Sequence, residues 1–218
     1  MKRALLMLAM AACVPDSDPP WQIDHDRIVA VRSDPPAILP GEIARLDVLV
    51  AHAGGPTTIE QPLAASAPDQ SLYTAVHFYL DHWQVDGPDE MQLAAARAEL
   101  GLADGAPVPL DITLRVAGPL YAQKRVLLGA TAQNPILPNV TIDGAPAGTT
   151  VALETRHTAR LLIEAPDVRW LTSCGELADD HAAQATLVTG DACTGELVVV
   201  ARDGNGGVAW QVWPLIVN

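Results

Sequence analysis

Short alternations of apolar and polar residues, each ended by proline or glycine, run through most of this chain. The alternation is clear in Ile43–His52, where Leu46 and Val48 face one side of an extended strand and Asp47 faces the other. Eighteen prolines and sixteen glycines are spread along the 218 residues, so few segments are long enough for a helix. With 49% hydrophobic residues the chain can bury a core, and the pattern predicts an all-β protein.

The first half of the chain contains further strand candidates and one exception. The strand candidates are Arg27–Arg32, Leu72–Trp83, Val108–Val116 and Tyr121–Thr131. The exception is Pro88–Leu102, which has acids near its start, strong helix formers in its middle and Gly101 near its end. This segment is predicted to form one short helix.

The strand pattern starts again after Asn134-Pro135 and Pro138, a stretch that we interpret as a linker. Seven candidates follow within roughly eighty residues, with turns every eight to twelve residues, which is the signature of an immunoglobulin-like β-sandwich. They are Asn139–Asp143, Thr149–Thr155, Ala159–Glu164, Val168–Ser173, Gln184–Thr189, Gly195–Arg202 and Val208–Val217. The sequence therefore predicts two immunoglobulin-like β-sandwich domains in tandem, at residues 27–131 and 132–218, with one short helix in the first.

The N-terminus has the features of a secretion signal. Lys2 and Arg3 precede the apolar run Ala4–Ala12, which is too short to span a bilayer. The run leads directly into Cys13, and this junction resembles the lipobox of bacterial lipoproteins, which implies a signal peptide at residues 1–12 and acylation of Cys13. The proline-rich residues 13–26 are then a tether. The position directly after Cys13 is not Asp, which by resemblance to the common sorting rule favours the outer membrane. The alternative is an ordinary secretory signal with an incidental cysteine.

The cysteine count agrees with an exported protein. Lipidation of Cys13 leaves Cys174 and Cys193 as one pair, and the periplasm and cell surface are oxidising. A disulfide between them is expected to stabilise the fold by roughly 3 kcal/mol. A shared metal ion is the alternative, although no CxxC spacing supports it.

The charge of the chain excludes one class of partner. The formal net charge is −13, and removal of residues 1–12 takes away Lys2 and Arg3 and brings the side chains to −15. Such a protein repels phosphate backbones, and the sequence has no basic cluster to offset this. We therefore expect no nucleic-acid binding, and partners that are basic or neutral.

One candidate for a chemical site lies in the predicted strand Leu72–Trp83. His77, Tyr79 and Asp81 alternate there on one face, with His82 and Trp83 beside them. A metal or carbohydrate site would need a further ligand from another strand. The alternative is the solvent face of a half-buried strand.

Two loops offer weaker candidates. Asp203 and Asn205, with Asp191, could supply oxygen ligands to calcium, but a hairpin turn needs the same residue types for its backbone alone. Asp179-Asp180-His181 places carboxylates beside an imidazole, although adjacent loop residues seldom converge on one point. The sequence contains no nucleophile elbow, P-loop, HExxH or Rossmann motif, so we predict no catalytic, cofactor-binding or metal-binding residues.

Several motifs resemble known protein families. Trp170, Cys174-Gly175 and Val198–Ala209, which contains Asp203-Gly-Asn-Gly-Gly207, are similar to PKD and related immunoglobulin-like modules of bacterial surface proteins. A wider set also resembles a group of myxobacterial-type lipoproteins over most of residues 13–218. That set is Ile28–Pro36, Pro40-Gly41-Glu42, Asn134-Pro135 and Arg202–Trp210. The resemblance implies a location and a fold, and carries no catalytic motif.

The function that follows is that of a non-catalytic lipoprotein of the outer membrane or periplasm. Its immunoglobulin-like modules are expected to bind a protein or glycan partner at the cell envelope or to act as a spacer. The alternative is a small hydrolase or metal-dependent enzyme with its site at the domain junction.

Overall fold

Strands dominate the computed structural model, which describes residues 19–67, 71–116 and 118–218. In these residues one α-helix, α1 (Glu90–Leu100), and a 3-10 turn at Tyr73–Ala75 interrupt the strands. The strands are β1 (Arg27–Asp34), β2 (Ala37–Ile38), β3 (Ile43–Ala51), β4 (Thr58–Glu60), β5 (Ala64–Ser66), β6 (Val76–Tyr79), β7 (His82–Asp86), β8 (Val108–Arg115), β9 (Tyr121–Leu128), β10 (Thr141–Ile142), β11 (Ala145–Pro146), β12 (Val151–Leu153), β13 (Thr158–Leu162), β14 (Asp167–Thr172), β15 (Glu176–Ala178), β16 (Gln184–Val188), β17 (Cys193–Arg202) and β18 (Val208–Val217). The prediction of an all-β fold is confirmed.

The strands between residues 27 and 128 form a first sandwich of two sheets. Sheet I has the order β1-β3-β7-β6, with β4 beside β3, and sheet II has the order β2-β9-β8-β5. Alternate side chains of β3 and β8 point inward from the two sheets and meet in one buried apolar core. Loss of water contact by this core is the main source of the sandwich's stability.

The helix α1 forms where the sequence predicts it, within Pro88–Leu102. The Asp89 side chain accepts a hydrogen bond from the Gln92 N–H, and the Gln92 side chain accepts one from the Asp89 N–H. This reciprocal cap satisfies donors that a helix start leaves free. Gly101 ends the helix at φ 67, a conformation that glycine adopts without a Cβ clash. Leu93 and Ala96 pack into the core of the first sandwich.

The strands between residues 141 and 217 form a second sandwich. Sheet III has the order β11-β10-β13-β16-β15, and sheet IV has the order β12-β18-β17-β14. Trp170 on β14 is fully buried between them, and its Nε1–H donates to the Ala182 carbonyl at 3.0 Å. The hydrogen bond satisfies the indole donor, which would otherwise lose its water partner on burial.

Both sandwiches have the strand order of immunoglobulin-like domains. When β4 and β11 are set aside and the other strands are labelled A to G along the chain, each sandwich has the order A-B-E-D in one sheet and A′-G-F-C in the other. The short A′ strands β2 and β12 run parallel to the last strands β9 and β18. The predicted tandem of immunoglobulin-like sandwiches is therefore confirmed from the topology.

Sheets I and IV pack face to face, and the residues between them form a third apolar cluster, which we call the junction layer. Val29 and Leu49 contribute from the first sandwich, and Val198 and Val200 contribute from the second. All four side chains are at most 7% exposed. The two sandwiches therefore share a dry interface along their sheets.

The junction layer explains a change of pattern within two strands. β3 alternates at its start but ends in Val48–Ala51, and β17 contains Leu197–Ala201, both unbroken apolar runs. In β17, Leu197 and Val199 face the core of the second sandwich while Val198 and Val200 face the junction layer. A strand that is buried on both faces needs such a run.

Polar contacts fasten the stretch that the sequence analysis interprets as a linker. The Asn134 Nδ2 donates to the Ser33 carbonyl at 2.9 Å and to Asp34 at 3.1 Å, while its Oδ1 accepts from the Val208 N–H at 2.9 Å. Asn134 thus bridges the two sandwiches, so this part of the stretch is a clamp and not a free connection. Independent folding of residues 27–131 and 132–218 stays a prediction.

The residues before β1 divide into two parts. Cys13 and the predicted signal peptide lie outside the described residues. Within the predicted tether, Trp21 to Ile23 line up beside β14, where the Ile23 N–H donates to the Thr172 carbonyl at 3.1 Å and the Thr172 N–H donates to the Trp21 carbonyl at 3.0 Å. This part of the predicted tether therefore belongs to the folded body.

A disulfide joins Cys174, which follows β14, to Cys193 at the start of β17, as the sequence predicts. Their Cα atoms are 6.1 Å apart. No helix in the described ranges is long and apolar enough to cross a membrane.

Replacing Val200 with alanine should lower the free energy of unfolding by about 2 kcal/mol, because it removes two methyl groups from the junction layer. Val188 lies in the same sandwich but is 41% exposed, so Val188→Ala should cost less than about 1 kcal/mol. Urea denaturation of both variants checks this. Equal losses would contradict a dry junction between the sheets.

Candidate functional site

The prediction of one strand over Leu72–Trp83 was wrong. The segment contains the 3-10 turn, then β6, a two-residue turn at Leu80-Asp81, and the start of β7. Two-residue hairpin turns favour glycine or asparagine, because their central residues take positive φ. Leu80 takes this position at φ 53, so the sequence gives no turn signal there.

The hairpin separates the residues that were predicted to share one face. His77 and Tyr79 lie on the same side of β6, but Asp81 lies in the turn, where its Oδ1 is 2.9 Å from His82 Nδ1. This hydrogen bond lowers the pKa of Asp81. His77 Nε2 instead approaches Asp86 at 3.6 Å. These residues form two separate pairs on the surface and do not converge on one point.

The two loop candidates are explained by local structure. Asp203 Oδ1 accepts hydrogen bonds from the N–H groups of Asn205 and Gly207, both at 2.8 Å, and so holds the β17–β18 turn. Asp191 lies at the opposite end of the ten-residue β17, roughly 30 Å away, and does not join them.

In the third candidate, Asp180 contacts its neighbour His181 at 3.4 Å and offers its carbonyl to the Trp170 N–H at 2.7 Å. Asp179 adopts φ 60, as a turn residue does. Across the described parts of the chain, no group of three or more His, Cys, Asp or Glu side chains is placed to hold a metal ion.

A cleft of about 420 Å³ lies at the junction of the two sandwiches, where the alternative enzyme hypothesis places a site. Ile23 and Pro214 contribute apolar walls, and His52, Ser173 and Glu196 are its main polar groups. Its volume falls within the range of small-molecule sites. The cleft therefore has the size of a binding site, and its chemistry depends on the groups that are free to react.

His52 in this cleft has a hydrogen-bond partner on one ring nitrogen, and its other nitrogen lies beyond hydrogen-bond distance of the nearest carboxylate. Its Nε2 is 2.7 Å from Glu60 Oε1, and its Nδ1 is 3.8 Å from Asp26 Oδ1. A general base needs one nitrogen directed at the nucleophile and the other at an orienting group. Ser173 Oγ accepts the Glu196 N–H at 2.8 Å, which ties it to the backbone. Among the described residues, no hydrogen bond joins His52 to Ser173.

A buried lysine lies on the other side of the junction. Lys124 on β9 is 6% exposed, and its Nζ donates to the Gly206 carbonyl in the second sandwich. Burial lowers the pKa of Lys124 to about 8, with Arg202 acting in the same direction and Asp203 opposing it. The lysine holds the β17–β18 turn of the second sandwich against the first sandwich, so its role at this position is structural.

The most distinctive surface of the described residues is apolar. Six large hydrophobic side chains between residues 59 and 80 are each more than half exposed, and we call them the apolar edge: Ile59, Leu63, Tyr73, Phe78, Tyr79 and Leu80. One ring contact lies within the hairpin, and one hydrogen bond connects the hairpin to the first part of this segment. The Phe78 and Trp83 rings stack edge to face at 5.7 Å, and the Trp83 N–H donates to Gln61 Oε1 at 3.4 Å. Where exposed apolar side chains form one patch, they mark interaction surfaces.

Sequence reasoning missed the apolar edge, although one signal was present. The chain has nine aromatic residues, five Trp, three Tyr and one Phe, and four of them fall within residues 73–83. An aromatic cluster predicts either a core or a contact surface. Which of the two an aromatic cluster forms depends on how exposed its rings are, and here that exposure depends on the turn at Leu80.

No family model and no curated protein matches this chain. Among solved structures, the N-terminal Ig1-2 module of the Drosophila receptor protein tyrosine phosphatase DLAR is similar over 89% of this chain and 99% of that chain, at 11% identity and a TM-score of 0.31. Murine CEACAM1b is similar over 87% of this chain and 100% of that chain, at 11% identity and a TM-score of 0.28. No residue role passes from these structures to this chain.

Replacing Lys124 with methionine should change how stability depends on pH. The pKa of Lys124 is about 8 in the folded protein against 10.5 ordinarily, so the unfolded chain binds more protons between these values. The wild-type free energy of unfolding should therefore rise from pH 8 to pH 10.5, by on the order of 2–3 kcal/mol relative to Lys124→Met. Denaturation at several pH values measures this. If the free energies of unfolding of the two proteins changed equally with pH across this range, the result would contradict the burial of a charged lysine.

Proposed function

We propose that this chain is a non-catalytic lipoprotein of the cell envelope, anchored in the outer membrane through Cys13, and that its first sandwich binds a protein partner through the apolar edge. The observation that carries the binding function is the exposed, strained leucine at position 80. The anchoring is supported by the apolar run that meets Cys13 in the sequence. Several acyl chains together would hold such a protein stably on a membrane.

Leu80 combines two unfavourable features. It is 80% exposed, so it gains little from burial, and its φ of 53 places an L side chain in a region that favours glycine. Such a residue costs about 1–2 kcal/mol relative to an ordinary conformation. A leucine at a turn that glycine would fill more stably is explained if a partner buries it.

The alternative function, an enzyme at the sandwich junction, has the cleft of about 420 Å³ in its favour. Its weakness is that His52 and Ser173 are not hydrogen-bonded to each other in the described residues, since His52 Nε2 contacts Glu60 and Ser173 Oγ accepts from the Glu196 N–H. Binding is thus the better supported function.

Replacing Cys13 with serine should move the protein from the membrane pellet to the soluble fraction, because the acylated thiol is its proposed attachment. Fractionation of cells expressing each form checks this. A Cys13→Ser protein that stays in the pellet and is processed as before would contradict lipid anchoring.

Replacing Leu80 with glycine should raise the stability of the protein but remove its binding to the partner. The variant should be more stable by up to about 1 kcal/mol, because glycine relieves the positive φ. It should also lose crosslinking to its partner in intact cells, because the tip of the apolar edge is gone.

Ile136→Gly is the matched control, since Ile136 is 90% exposed and lies outside the apolar edge. It should leave crosslinking unchanged. Unchanged crosslinking in Leu80→Gly would contradict the assignment of the binding surface.

A further inference from the structure

We infer that β6 binds its partner by strand addition, accepting an extended polypeptide segment in which apolar and basic residues alternate. The inference rests on the proposed binding function and specifies its mode and the chemistry of the partner. It depends on the hydrogen-bonding pattern of the hairpin, on the way the sheet edges are protected, and on the charges beside β6.

The hairpin register leaves backbone groups of β6 unpaired with β7. A two-residue turn makes its flanking residues, Tyr79 and His82, a hydrogen-bonded pair. Pairs alternate along an antiparallel ladder, so Phe78 opposite Trp83 is a pair without hydrogen bonds. The N–H and C=O of Phe78 therefore point away from β7. β6 is the last strand of sheet I in the described residues, so these groups face the open edge.

Two other sheet edges in the described residues are protected. β11 carries Pro146, which has no N–H to donate. The edge of β14 is covered by residues 21–23. β6 has the sequence Val-His-Phe-Tyr, with no lysine, proline or bulge to prevent pairing. An unprotected edge with aromatic side chains is the template that strand addition uses.

The two faces of β6 differ in chemistry, and this sets the alternation in the partner. Phe78 projects on the side of Trp83, so a strand added here would place apolar residues beside it. His77 projects on the opposite face, where Asp86 lies 3.6 Å away. Asp81 in the turn is highly exposed, and Asp81 and Asp86 outnumber the nearby cation Arg45, which pairs with Gln84 on the same face. A chain whose mature side chains sum to −15 favours basic residues at these positions.

The probe for this inference is a short capped peptide of alternating valine and lysine, titrated against the soluble Cys13→Ser protein by fluorescence anisotropy. Two matched peptides test the mode of binding. One carries N-methyl groups on alternate amides, which blocks ladder hydrogen bonds, and the other has glutamate for lysine. Both should bind at least about tenfold more weakly.

Phe78→Pro is the matching change in the protein. It removes the outward N–H while leaving the β6–β7 hydrogen bonds intact, as proline does at an edge. The variant should lose peptide binding, whereas Phe78→Ala, which keeps the N–H, should retain part of it. Hydrogen exchange of the Phe78 amide in the wild-type protein should slow when the peptide binds, and this readout needs no variant to fold.

Two results would overturn strand addition. Equal affinity of the plain and N-methylated peptides would show that side chains alone bind. Absence of binding to the valine–lysine peptide, together with loss of cellular crosslinking in Leu80→Gly, would reject strand addition and leave the proposed binding function standing. Tight binding to the glutamate peptide would reject the basic partner.

Discussion

The junction layer between sheets I and IV determines which surfaces of this protein are free. Val29 and Leu49 meet Val198 and Val200 there, and the layer covers the outer face of sheet I at β1 and β3. β7 and β6 are the other two strands in the order of that sheet. The hairpin they form contributes no residue to the junction layer, and Phe78, Tyr79 and Leu80 stay exposed.

The polar contacts around the junction layer follow from its dryness. A polar group that loses water must find a partner within the protein, or the fold loses stability. Lys124 finds the Gly206 carbonyl, and Asn134 finds partners in both sandwiches. Arg32 stacks over Trp210 at 4.4 Å, which keeps a cation at the border of the layer. Each contact also fixes one sandwich relative to the other.

Stability is given up at the apolar edge in two ways. Leu80 holds an unfavourable backbone conformation in solvent, and β6 leaves backbone groups open beside aromatic side chains. Elsewhere local preferences are met at α1, which has a reciprocal cap, and at β11, whose proline protects a sheet edge. Departures from local preference that bring no packing are expected where a surface serves binding.

The sequence by itself determined most of the longer strands, the helix and the pairing of Cys174 with Cys193, because these depend on short-range periodicity, on cap and turn residues, and on cysteine parity. The hairpin turn at Leu80 could not be predicted, since leucine carries no turn preference.

The tertiary structure decided how the sandwiches meet and therefore which residues face solvent. An unbroken apolar run such as Leu197–Ala201 indicates burial on both faces but does not name the second face, because any apolar sheet would satisfy it. The exposure of Phe78 and Tyr79 depends likewise on the position of β6 at the end of its sheet, which long-range strand pairing sets.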